Sequence, residues 1–167
     1  MDCVLFRHGI AVGREVWDGP EPERPLTPKG TEKTRQAAAG LVRVVNTPTH
    51  LLSSPFARAM ETAKVIRDEF RLRTEIQVCD ELTPDSPPDK LFAVLAGFPQ
   101  DACVVCVGHE PHLGEAAGIM LFAKPTTGLS LKKAGACCIE FEKFPRGGQG
   151  ALRWWLTPAQ LRSLRKG

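Results

Sequence analysis

Short apolar runs alternate along this chain with helical stretches opened by proline, and that alternation admits few folds. Strands are predicted at 2–7 (DCVLFR), 50–53 (HLLS), 75–79 (EIQVC) and 102–107 (ACVVCV). Two more, 136–142 (ACCIEFE) and 151–155 (ALRWW), come late with no helix between them. β-Branched and apolar residues between turn formers carry this signal. Thr27-Pro28 offers an N-cap hydroxyl and a first-turn proline, predicting a helix to about Val45. Ser54-Pro55 predicts a second helix over 55–70 by the same logic. Pro87-Pro88 precede a third to about Ala96, Pro111 opens a fourth to about Phe122, and Thr157-Pro158 open the last. The alternation implies an α/β fold with three layers, α/β/α, around a mostly parallel sheet. The glycine-rich FPRGGQG (144–150) reads as a hairpin loop that gives the sheet an antiparallel edge strand.

Composition sets the class. A length of 167 residues suits one domain, 1–167, and 43% apolar with 25% charged residues suits a soluble globular protein. The net charge of +3 is too mild for a nucleic-acid partner, which needs a dense basic stripe. The basic LRSLRKG (161–167) reads as a solvated helix end, where cations suit the dipole. No run of about 18 apolar residues predicts a membrane span. MDCVLFRHG lacks the basic and long apolar regions of a signal peptide, so a cytoplasmic location is expected. In that setting the six cysteines are expected to be free. Cys103 and Cys106 have CxxC spacing, but on a strand residues three apart face opposite ways and cannot grip one metal.

Polar chemistry gathers at strand ends. Open α/β sheets bind ligands outside the carboxyl ends of their strands. The first strand ends in Arg7-His8-Gly9, the 50–53 strand runs into a helix carrying Arg58, and the 102–107 strand ends in Gly108-His109-Glu110. Arg58 in a first turn opposes the helix dipole, at a cost of roughly 0.3–1 kcal/mol that a bound anion would offset. Guanidinium forks fit phosphate oxygens, a helix N-terminus adds N–H donors, and Gly9 permits close backbone approach. A histidine held neutral among such cations can attack phosphorus. Other phosphate chemistries lack their residues: there is no GxxxxGK[ST] loop, no GxSxG elbow and no HExxH. No metal or cofactor is expected. The proline-rich loop 10–26 follows Gly9 and can shape access to the site.

These residues, in this order, resemble the histidine phosphatase superfamily, whose fold is phosphoglycerate mutase-like. Arg7-His8-Gly9 is similar to its RHG signature, SSPFARAMETA (53–63) to its second arginine block, and Gly108-His109-Glu110-Pro111 to its late histidine motif. Within it, ERPLTPKG (23–30), DELTP (80–84) and LRWWLTPAQL (152–161) resemble the SixA-type phosphohistidine phosphatases. The resemblance implies that His8 takes up the phosphoryl group as a covalent phosphohistidine. Arg7, Arg58 and His109 would bind its oxygens and complete the catalytic set, without metal.

One slot departs from the pattern. Larger members carry an acidic residue where this chain has Pro84, and Glu81 and Asp85 stand nearby out of register. A phosphomonoester leaves as an alkoxide and benefits from a general acid, worth about 10²–10⁴-fold. A phosphoramidate has a better leaving group, so the departure favours a phosphohistidine substrate, as on a phosphotransfer protein. A small phosphorylated metabolite and a phosphate-binding module without turnover stand as alternatives. His50 is expected to be structural or exposed, and His112 to point away from the site. Of Trp154 and Trp155, one is expected in the core and one partly exposed.

Overall fold

The computed structural model describes residues 1–165, so Lys166 and Gly167 at the end of the basic tail lie outside the described residues. The strands are β1 (Asp2–Arg7), β2 (His50–Ser53), β3 (Ile76–Val78), β4 (Cys103–Gly108), β5 (Ala136–Glu140) and β6 (Ala151–Leu156). The helices are α1 (Pro28–Leu41), α2 (Ala57–Glu69), α3 (Lys90–Leu95), α4 (His112–Phe122) and α5 (Pro158–Leu164). One six-stranded sheet has the order β3-β2-β4-β1-β5-β6. β1, β2, β3 and β4 pair in parallel, β5 runs against β1, and the edge strand β6 runs against β5.

Period-two alternation decides which residue meets which layer. Cys3, Leu5, Val104 and Cys106 face Leu91, Leu95, Leu113 and Met120 of α3 and α4. Val4, Phe6, Val105 and Val107 face Ala37, Leu41, Ala63, Ile66 and Leu161 of α1, α2 and α5. The central strands read as unbroken apolar runs because both faces are covered. All six cysteines are buried and free, as small apolar side chains. Trp154 packs against one face of the sheet and Trp155 against the other. Both are half-buried, because β6 is the edge and neither of its faces is fully covered. Among the described residues, no helix is long and apolar enough to cross a membrane.

Thr27 and Thr157 cap α1 and α5 as their sequences predict, accepting from Gly30 N and Gln160 N. Ser54-Pro55 behaves otherwise. α2 starts at Ala57 with Phe56 in the cap position and no side-chain cap. The chain continues extended past Ser53, where Ser54 N donates to Val107 O at 3.0 Å, and the Ser54 hydroxyl accepts from Phe56 N at 3.4 Å, ahead of the first helical turn. The third helix also starts later than its prolines suggest, at Lys90.

α1 and α5 meet at Gly40, where an added Cβ would overlap the main-chain oxygen of Leu161. Backbone cannot swing aside as a side chain can. Gly40→Ala is expected to destabilise the fold by about 1–3 kcal/mol through overpacking, read as a lower urea midpoint at unchanged slope. An unshifted midpoint would contradict this packing.

Candidate active site

The order β2-β4-β1 brings three strand ends side by side at one carboxyl edge. The ladder runs one residue past each flanking strand: His8 N donates to Gly108 O at 3.0 Å, and Ser54 N to Val107 O at 3.0 Å. His8 and Ser54 are therefore placed by sheet hydrogen bonds rather than by loop conformation, and His109 directly follows the last residue of β4. α2 adds a further tie. Gly9 N donates to Thr62 Oγ1 at 3.0 Å, and that hydroxyl donates to Arg58 O at 2.7 Å. The loop carrying His8 and the helix carrying Arg58 are thus pinned to one another.

All four residues singled out from sequence converge here. His8, Arg58 and His109 are buried, and Arg7 is half-buried. His8 Nδ1 lies 2.7 Å from Gly9 O, and a carbonyl only accepts, so Nδ1 carries the proton. Nε2 then keeps its lone pair and accepts from Arg58 Nε at 3.3 Å. The His8 and His109 rings are 5.0 Å apart. Burial, with the Arg58, Arg7 and Lys133 charges adding to it, pushes His8 down to about 3. Burial likewise takes His109 to about 2, with His8 and Arg58 adding. Both rings are neutral at ordinary pH. Arg7 Nη1 donates to Leu131 O at 2.7 Å, and Leu131 N donates to Glu110 Oε1 at 2.8 Å. Arg7 Nε and His109 Nδ1 are buried with no protein partner.

A cavity of about 500 Å³ opens over these groups. Arg7, His8, Arg58 and His109 form its floor, with Arg14, Glu15, Arg24, Pro84, Glu110 and Lys133 also lining it. Such a floor suits an anion with several oxygens, beside an imidazole nitrogen able to bond to it. Glu81 is turned to the Cys79 thiol at 3.4 Å and Asp85 is exposed, so neither lines the cavity. His112 is buried and off the cavity, and His50 packs on Phe98 at 4.4 Å. Among the described residues, no group of three or more His, Cys, Asp or Glu side chains could hold a metal ion.

Several neighbours were not singled out from sequence. Ser54 Oγ lies 2.9 Å from His109 Nε2 while also accepting from Phe56 N at 3.4 Å. The Phe56 ring lies edge-on to His109 at 5.1 Å and under Arg58 at 5.0 Å. Glu21 and Arg24 come from loop 10–26, which is folded back on itself. Ala11 bridges Leu26, and Arg24 Nη1 donates to Val12 O at 2.6 Å. The signal for Arg24 was its place in ERPLTPKG; nothing local marked Glu21.

A cationic floor at the carboxyl edge of the sheet in a three-layer α/β fold, with two neutral imidazoles among its guanidinium groups, has the chemistry of an anion-handling enzyme site. The family model for the histidine phosphatase superfamily (branch 1) matches residues 3–83. An uncharacterised protein of Picosynechococcus sp. is 36% identical over 137 residues, covering 81% of this chain and 82% of the relative. Phosphohistidine phosphatase SixA of Escherichia coli is 27% identical over 164 residues, 97% of each chain. A solved structure of the protein histidine phosphatase SixA complexed with tungstate superposes with a TM-score of 0.83 at 25% identity. It covers 96% of this chain and 99% of that one. This chain belongs to the histidine phosphatase superfamily, as a SixA homologue, and is a phosphatase.

The lowered histidines tie stability to pH. Below the ordinary value of 6.5 the unfolded chain takes up protons that folded His8 refuses down to about 3. Stability is therefore fully present above pH 6.5 and falls as pH drops through that window. Urea midpoints should decline from pH 7 to about 4, and His8→Asn or His109→Asn should each flatten the decline. Parallel slopes in wild type and both variants would contradict the burial described.

Proposed function

We propose that this phosphatase acts on phosphohistidine, as on a phosphotransfer protein, through a covalent phosphohistidine on His8. The observation that carries the reading is the His8 ring: proton fixed on Nδ1 by Gly9 O, lone pair on Nε2, neutral by burial among cations. In the first step Nε2 attacks phosphorus. The Nε2–P bond forms as the bond from phosphorus to the substrate's imidazole nitrogen breaks, and that imidazole leaves with the bonding pair. In the second step water attacks phosphorus and the P–Nε2 bond breaks. Phosphate is released, and His8 recovers its lone pair.

Arg7, Arg58 and His109 stabilise the oxygens through both steps. Charge stabilisation and positioning are most of what phosphoryl transfer requires. The buried donor on Arg7 Nε fits this role, because the protein itself leaves it without an acceptor. Two further points favour phosphohistidine. Pro84 lines the cavity where larger relatives place an acid. The relative from Escherichia coli is named for phosphohistidine, and the SixA structure binds the oxyanion tungstate. Arg14 and Lys133 add positive charge to the cavity lining, which suits an anionic partner.

Trapping tests the mechanism. A phosphohistidine protein or phosphoramidate, quenched in alkali after mixing, should leave phosphate on His8, located by mass spectrometry, and none in His8→Ala. Phosphate found on a cysteine, or full turnover in the alanine variant, would sink it. Arg58→Ala should lower kcat/KM by about 10²–10³-fold, as for loss of one preorganised donor. Turnover should be faster on phosphohistidine than on a sugar phosphate. The reverse order would make the protein a metabolite phosphatase.

A further inference from the structure

Glu21 places a negative charge beside a site proposed to bind an anion. Its carboxylate stands beside the arginine proposed to hold a phosphoryl dianion. Yet it is built in with care. Glu21 O accepts from Arg58 Nη1 at 3.2 Å, and Glu21 Oε1 lies 3.2 Å from Arg58 Nη2. Both terminal nitrogens of Arg58 are thus gripped by one residue, through its main chain and its side chain. Arg58 Nε faces His8 Nε2.

The grip is itself braced. Arg24 binds the same carboxylate through Nε at 2.9 Å and Nη2 at 2.8 Å, a two-pronged pairing. Its third nitrogen donates to Val12 O. Arg14 Nη2 approaches Glu21 Oε1 at 3.5 Å. The hydrogen bond from Arg24 is the main influence holding the Glu21 carboxyl at about 2, so it is ionised throughout the working range. Arg24 is buried, which makes its bond to Glu21 part of the fold of loop 10–26 rather than a passing surface contact.

We propose that Glu21 is the positioning residue for Arg58: by fixing both terminal nitrogens it turns the Nε edge toward the space beside His8 Nε2, where a transferring phosphoryl group sits. A long side chain with a planar fork loses donor strength quickly when the fork is misaligned, and gains by being oriented before the ligand arrives. Loop 10–26 thereby takes part in the site through Arg58.

The two physical effects of Glu21 have opposite signs, so they can be separated. Removing a negative charge near a phosphate site tightens phosphate binding if charge is all that matters. Releasing Arg58 from its oriented state weakens it. This inference rests on the reading that Arg58 binds the phosphoryl group, so Arg58→Ala is measured alongside by calorimetry with inorganic phosphate. Wild-type affinity in Arg58→Ala would overturn that reading, and this inference with it. If Arg58→Ala weakens binding, Glu21→Ala is expected to weaken it about tenfold, the size of one lost oriented charge-assisted hydrogen bond. Both variants keep the main-chain carbonyl; Glu21→Gln also keeps a side-chain acceptor and should recover part of the loss. Unchanged or tighter binding in Glu21→Ala would overturn the proposal while leaving the role of Arg58 intact. A kinetic cycle guards against a folding defect: Glu21→Ala should lower kcat/KM in the wild-type background and add no further loss to Arg58→Ala. Equal losses in both backgrounds would mean that Glu21 does not act through Arg58, and would also overturn it.

Discussion

A guanidinium that is almost wholly buried must be paired, and Arg58 is only 2% exposed. Much of this molecule's polar architecture follows from that requirement. Removing a charge from water is costly unless fixed partners replace the hydration shell. Arg58 finds them in His8 Nε2 on one edge and Glu21 on the other. Glu21 in turn requires loop 10–26 to fold back, and Arg24 secures that fold through Val12 O. The Phe56 ring covers one face of the cation. The loop, the start of α2 and the end of β1 are therefore a single bonded unit around one charge.

The sheet supplies the frame that makes such a unit possible. Parallel strands with apolar residues on both faces are held in register by buried ladders, and the ladder between β1 and β4 extends to His8. Position is thus inherited from the most rigid part of the molecule. Leu131 does similar work for Arg7, receiving it on its carbonyl while its N–H is taken by Glu110. Both basic floor residues are held by contacts that trace to a carboxylate, one directly and one through a backbone residue. Guanidinium groups gathered without counter-charges repel one another, and these two carboxylates temper that repulsion.

Chemistry and placement were legible in the sequence to different degrees. Strand ends at residues 7, 53 and 108 were readable because β-rich runs stop where polar or glycine residues begin, and the open-sheet rule says what such ends do. Arg58 was readable as a cation in the wrong turn of a helix. Ser54 was misread, because Ser-Pro before a helical run carries a capping signal as strong as Thr27-Pro28. The difference lies in β4, whose Val107 oxygen captures Ser54 N and leaves the hydroxyl beside His109. The half-buried state of both tryptophans was likewise outside local reach, since it depends on β6 being the edge strand.

The sequence by itself determined the layered α/β architecture, the three strand ends and the residue types they deliver, because periodicity and turn chemistry act over a few neighbouring positions. Only the tertiary structure decided which nitrogen of His8 is free, that Glu81 and Asp85 stand outside the cavity, and that Glu21 holds Arg58 across 37 positions of chain. Tautomer, burial and ion pairing depend on distances of a few ångströms between segments remote in sequence. Those distances are fixed when the sheet orders its strands and the layers close over it.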